Sequence, residues 1–121
     1  AYRLVIPIFA KQMQDGLPLT INNDGKQRRD FTHVDDVVNA NILAATRPKD
    51  LKGDVFNIGN GNNFSVYELA LMFGGERQYG NKVIEPKETL ADNTKAQNVL
   101  GWSPEGNLQL WMEQYKKEMG I

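Results

Sequence analysis

The residues best suited to chemistry lie in one run, Gly25-Lys26-Gln27-Arg28-Arg29-Asp30-Phe31-Thr32-His33-Val34-Asp35-Asp36. Two adjacent arginines leave a turn and enter a polar extended segment. A guanidinium offers a planar fork of donors and a permanent charge, which suits a phosphate or diphosphate. Asp30, beside Arg29, is placed to orient that fork while leaving donors free. A solvated charged hairpin would use the same residues, and the run by itself favours that plainer reading. His33 stands at the mouth of a helix and reads better as a hydrogen-bonded structural histidine than as a catalytic one. Asn57 and the Gly59-Asn60-Gly61 turn could approach a ligand closely, but glycine-rich strand ends are more often plain turns.

Absent motifs narrow the chemistry. None of the 11 glycines falls into G-x-G-x-x-G or G-x-x-G-x-x-G spacing, so no dinucleotide fingerprint is present. Gly25-Lys26 continues into Gln27 without the upstream glycine of a phosphate loop. Tyr2, Tyr67, Tyr79 and Tyr115 are followed four residues later by Ile6, Leu71, Val83 and Met119, so no Tyr-x-x-x-Lys pair exists. With one histidine and no cysteine, the common nucleophilic arrangements, disulfides and thiolate metal sites are excluded. A multi-histidine zinc site is excluded likewise. No catalytic, cofactor-binding or metal-ligating residue is assigned.

Composition sets the class. A chain of 121 residues, 40% hydrophobic and 24% charged, is expected to be one small globular domain. The formal net charge of −1 argues against nucleic acid, which wants a concentrated basic face. No apolar run approaches the roughly 20 residues of a membrane span, and no signal peptide is present, so a reducing cytoplasm is the default address. Ala1-Tyr2-Arg3-Leu4-Val5-Ile6 enters an apolar segment without initiator Met or polar leader. That is the pattern expected of a chain beginning mid-protein, although an engineered or processed terminus would look the same.

The elements that must position these residues follow from periodicity. Leu4 to Gln14 reads as a helix with Val5, Ile8, Phe9 and Met13 near one face, Pro7 in its first turn and Gly16 closing it. Leu19-Thr20-Ile21 is a short strand, followed by the Asn22-Asn23-Asp24-Gly25 turn. Arg29 to Val34 reads as a second extended piece. Asp35 or Asp36 then caps a helix to about Thr46, with Val34, Val37, Val38, Asn41 and Ala45 on one face. Val55 to Ile58 reads as a strand. Ser65 and Glu68 form a capping-box pattern opening a helix that ends at Gly74-Gly75. Tyr79 to Glu88 holds at most one strand, Asp92 or Asn93 caps a short helix ending at Gly101, and Leu108, Trp111, Met112, Tyr115 and Met119 stripe a final helix. The expected class is α/β: a small mixed domain of short strands and about five helices, without repeats.

The ordered set of motifs resembles the C-terminal part of the NAD-dependent epimerase/dehydratase family, the extended short-chain dehydrogenase/reductases that include UDP-glucose 4-epimerase. The runs that carry the resemblance are Val5-Ile6-Pro7, Gly16-Leu17-Pro18-Leu19-Thr20-Ile21, the stretch from Asp24 to Val38, Val55-Phe56-Asn57-Ile58-Gly59-Asn60-Gly61, Ser65-Val66-Tyr67-Glu68-Leu69, the stretch from Thr89 to Ala96, and Leu100-Gly101-Trp102-Ser103-Pro104. They cover nearly the whole chain in order.

The resemblance implies the substrate-binding portion of a nucleotide-sugar epimerase or dehydratase, holding a UDP- or dTDP-sugar by its nucleoside diphosphate and inactive alone. Arg29 matches the arginine that holds the diphosphate, and Leu19, Thr20 and Ile21 match the strand whose backbone runs beside the nucleobase. Pro7 lies at the helix start lining the same pocket, Glu85 matches the acidic residue near the ribose, and Lys82 stands where a second phosphate-binding arginine is usual. NAD is implied for the full-length enzyme, on an N-terminal Rossmann domain that this chain lacks, so residues 1–121 are expected to be the substrate domain without a cofactor of their own. Asn22 and Asn23 replace a base-stacking aromatic and a glycine, and lysine at position 82 keeps the charge but loses the bidentate fork. A homo-oligomer or a separate cofactor-binding domain is the expected protein partner, because Val37, Val38, Ile42, Val55, Phe56 and Ile58 would otherwise stay uncovered. A stand-alone nucleotide-sugar binding module, or an interaction domain with a vestigial pocket, is the alternative.

Overall fold

A computed structural model describes residues 4–121; Ala1, Tyr2 and Arg3, on which the expectation about the chain's beginning partly rests, lie outside the described residues. The element order is α1 (Val5–Gln14), β1 (Leu19–Ile21), β2 (Arg28–Arg29), α2 (Val34–Thr46), β3 (Phe64–Ser65), α3 (Val66–Phe73), β4 (Arg77–Tyr79), a π-helix (Ala96–Leu100) and α4 (Leu108–Met119). The α/β class with five helices and short strands is as expected. Contacts divide the chain into two compact units. One comprises the chain up to Arg29, Phe64–Glu88 and Gln109–Ile121; the other comprises Asp30–Asn63 and Thr89–Leu108.

The first unit holds both sheets. β1 pairs in parallel with β4, Leu19 opposite Arg77 and Ile21 opposite Tyr79. β2 pairs antiparallel with β3, Arg28 opposite Ser65 and Arg29 opposite Phe64. Leu19 and Ile21 are completely buried, and α1 meets α3 edge to face through Phe9 and Phe73, ring centroids 5.7 Å apart. Pro7 sits in the first turn of α1, where its missing N–H costs nothing. α3 starts with the complete capping box: the Ser65 hydroxyl accepts from the Glu68 N–H, and the Glu68 carboxylate accepts from the Ser65 N–H. It ends at Gly74 in the left-handed conformation. Gly25 is obligatory at its turn, with φ of +76° and room for no Cβ, since one would lie 2.9 Å from Ile21 Cγ2.

The second unit departs from expectation in four places. The N-cap of α2 is His33, not Asp35 or Asp36, its Nδ1 accepting the Asp35 N–H at 3.0 Å. The buried face of α2 carries Asp36 and Ala40, while Val34 (67% exposed), Val37 and Val38 point outward. The reason is Asp36: its carboxylate accepts the Glu105 and Gly106 N–H groups, each at 2.9 Å, and its carbonyl accepts the Trp102 indole N–H at 2.8 Å. The small Ala40 beside it lets Ala96, Leu100 and Trp102 close the core. Val55–Ile58 forms no strand, because no other strand lies beside it for its backbone to pair with among the described residues. Phe56 and Ile58 instead pack against the Trp102 cluster, leaving Val55 exposed. The helix ending at Gly101 is mostly π-helix, which periodicity gives no means to anticipate.

In the first unit, the second extended piece is only Arg28–Arg29, and the late strand is Arg77–Tyr79, which overlaps the expected Tyr79–Glu88 region only at Tyr79. No helix among the described residues is long and apolar enough to cross a membrane, and no cluster of His, Cys, Asp or Glu could hold a metal ion there.

Candidate functional site

Every residue singled out for nucleotide binding falls in the first unit. Strand β2 is bracketed there. Ser65 and Phe64 lie on one side, and on the other the Arg28 N–H donates to the Lys87 carbonyl at 2.8 Å while Arg28 forms a parallel bridge to Glu88. This fixes the 80–88 segment against β2 and carries Glu85 to Arg29. Arg29 Nη2 lies 3.4 Å from Glu85 Oε1, both side chains about one quarter exposed, and Arg29 Nη1 donates to the Arg28 carbonyl at 2.7 Å. A partly exposed ion pair of this kind adds little stability. Its effect is to aim the guanidinium, whose fork keeps further N–H groups for a ligand.

The carboxylate that orients Arg29 is therefore Glu85 and not Asp30. Asp30 serves the second unit, accepting the N–H groups of Asn60, Gly61 and Ala91 and the Thr32 hydroxyl. Lys82 is exposed, three positions before Glu85. The segment bearing both is sewn to the turn after β1: Asn23 Oδ1 accepts the Val83 N–H at 3.0 Å, and the Asn23 N–H donates to the Asn81 carbonyl at 3.2 Å. Asn23 has φ of 54°, which asparagine tolerates better than most residues. Here the two asparagines standing in place of an aromatic and a glycine act as fasteners, for the Asn22 carbonyl also accepts from Gln27 Nε2.

Strand β1 turns two buried side chains inward, so Leu19 and Ile21 can offer only backbone to a ligand, whereas Thr20 is half-buried. Two glutamines that spacing did not single out hold Thr20. Gln12 Oε1 accepts the Thr20 N–H at 3.1 Å, and Gln12 Nε2 donates to Thr20 Oγ1 at 3.0 Å. Gln78 Nε2 donates to the same hydroxyl at 3.1 Å. These contacts span eight and 58 positions, beyond any local pattern. Pro7 is exposed on the first turn of α1.

His33 is structural, as its spacing favoured. Asn57 borders an open depression of about 490 Å³ in the second unit, with Asp92, Thr94, Lys95, Asn98 and Val99. The Lys95 charge is met there by Asp54 at 2.6 Å, and that hydrogen bond, with the Val55 N–H, holds the Asp54 carboxyl below its ordinary range. Asp92 is lowered by the Thr94 hydroxyl and then the Thr94 N–H. Neither carboxylate has the raised affinity for protons that a general acid needs. α2 and α3 are entered through the His33 and Ser65 caps rather than through glycine-rich turns.

The chain is similar to nucleotide-sugar enzymes. A sequence model described as the NAD dependent epimerase/dehydratase family matches residues 2–59. The UDP-glucuronate 4-epimerase of Thermodesulfobacterium geofontis is 31% identical over 109 residues, covering 84% of this chain and 33% of the relative. The UDP-glucose 4-epimerase of Mycolicibacterium smegmatis is 32% identical, covering 84% and 34%. The crystal structure of UDP-glucuronic acid 4-epimerase from Bacillus cereus in complex with UDP-glucuronic acid and NAD superposes with a TM-score of 0.85 at 31% identity, over 97% of this chain and 40% of that one. The chain thus spans about a third of the length of the curated relatives it matches. On these likenesses and the motif order, the chain belongs to the NAD-dependent epimerase/dehydratase family.

Proposed function

We propose that this chain is the C-terminal, substrate-binding portion of a nucleotide-sugar epimerase or dehydratase, and that it binds the nucleoside diphosphate end of a UDP- or dTDP-sugar. The observation that carries the reading is the Arg29–Glu85 pair, a guanidinium aimed by a carboxylate on a segment fastened to the end of β1. Arg29 donates to the diphosphate oxygens, and Lys82 adds positive charge from the same segment as Glu85. Glu85 accepts from a ribose hydroxyl, β1 borders the base with its backbone, and Pro7 lines the pocket from α1. A solved relative in complex with UDP-glucuronic acid and NAD supports the substrate class.

Chemistry at the sugar carbon needs a hydride acceptor and an acid/base pair, and this sequence has neither a glycine fingerprint nor a Tyr-x-x-x-Lys pair. The isolated chain should be inactive, and NAD would act only on a separate cofactor domain. The valines turned outward on α2, with Ile42 and Val55 also exposed, are covered in that reading by such a domain or by another copy.

Calorimetric titration with UDP tests the binding: a saturable heat that Arg29→Ala weakens is expected, and equal affinities would remove Arg29 from the site. A turnover assay with several nucleotide sugars and added NAD tests the inactivity; a rate that survives repurification would refute it.

A further inference from the structure

Thr20 has a fixed polarity. A hydroxyl carries one O–H donor and two acceptor lone pairs. Both lone pairs of Thr20 Oγ1 are taken by amide N–H groups, from Gln12 Nε2 at 3.0 Å and Gln78 Nε2 at 3.1 Å. Gln12 cannot turn over without loss, because its Oε1 is held by the Thr20 backbone N–H at 3.1 Å. The Thr20 methyl is confined as well: a Cβ on Gly80 would lie 2.6 Å from Thr20 Cγ2. What remains to Thr20 is its hydroxyl hydrogen, so the side chain can donate to a ligand and not accept from one.

We propose that Thr20, held by Gln12 and Gln78, is a base-selecting residue that admits a pyrimidine with a 4-keto oxygen, uracil or thymine, and disfavours cytosine, whose 4-amino group brings donors. This rests on the reading above that β1 borders the nucleobase. A donor facing a carbonyl oxygen makes a hydrogen bond, whereas a donor facing an amino group leaves both unpaired, and a site pays heavily for unpaired buried polar groups. Gln12 acts through Thr20 and is a positioning residue: it makes no contact with the base.

The test is calorimetry of the full chain with UDP, dTDP and CDP, which share the diphosphate and differ at the base. The wild type is expected to bind UDP and dTDP alike and CDP about tenfold more weakly, the scale of one unpaired polar contact. Thr20→Val should weaken UDP about fivefold, leave CDP nearly unchanged and collapse the preference, while Thr20→Ser keeps it. Gln12→Leu and Gln78→Leu each free a lone pair, so the hydroxyl can turn to accept, and CDP should gain on UDP in both. Thr20→Ser guards against loss of fold as the cause, since it preserves the hydroxyl network. Equal wild-type affinities for UDP and CDP, or a Thr20→Val protein that keeps the wild-type preference, would overturn the proposal. The diphosphate reading fails separately: Arg29→Ala should weaken UDP and CDP equally and leave their ratio intact, and no effect of that variant would remove Arg29 from the site without touching the Thr20 result.

Discussion

Arg29 and Asp30 are neighbours in sequence that belong to different units and do different work. Both carboxylate oxygens of Asp30 and of Asp36 accept backbone N–H groups of the second unit, which ties its loops and closes the Trp102 core. Arg29 and Thr20 in the first unit are held by partners, Glu85 and the two glutamines, yet keep donors in reserve. A charged group whose hydrogen bonds are all met within the protein is architecture. A group aimed by its neighbours but left with unused donors is where a ligand can bind.

That contrast can be broken by mutation. Trp102→Ala empties the second unit's core and should cost about 3–5 kcal/mol, read by chemical denaturation. Asp36→Ala leaves the part-buried Glu105 and Gly106 N–H groups without their charged partner and should cost about 2–3 kcal/mol, with nucleotide affinity nearly unchanged in whatever fraction stays folded. Arg29→Ala should invert the pattern, weakening UDP roughly ten- to a hundredfold while shifting stability by less than about 1 kcal/mol. Glu85→Gln sharpens the distinction further: it removes a negative charge beside the phosphate site, so inorganic diphosphate should bind about two- to threefold better, while UDP, which uses the ribose contact, should not gain.

The smallest effect concerns acid. Asp54 has a lowered carboxyl pKa in the folded chain, first through Lys95 and then the Val55 N–H. Its contribution is present above the ordinary carboxylate range and is lost as pH falls through the depressed folded value. Asp54→Asn should therefore lower stability slightly near neutrality and converge with the parent chain at low pH, which flattens the acid limb of a stability-versus-pH curve.

How much was legible follows from sequence range. The Ser65–Glu68 capping box, the Gly74 and Gly101 stops and the α4 stripe are written within a few residues, and spacing found them. Val55–Ile58 has a strand's composition, but a strand is made by its partner, and none lies beside it among the described residues. The valines of α2 misled because the face is decided by Asp36, whose partners lie some seventy positions away. In the candidate site, Arg29 and Glu85 stood out by residue type and family likeness, and the structure brings them together. Gln12 and Gln78 carry no local signal, since their meaning depends on Thr20 lying between α1 and β4.

The most direct measurement of the central claim is a backbone amide and indole NMR titration of the chain with UDP, reading both units at once. Perturbations should be saturable and concentrated at Thr20, Arg29 and the 80–88 segment, while the Trp102 indole and the amides of Glu105 and Gly106 stay still. No shift at high UDP concentration, or shifts confined to the second unit, would contradict a nucleoside diphosphate site built on Arg29.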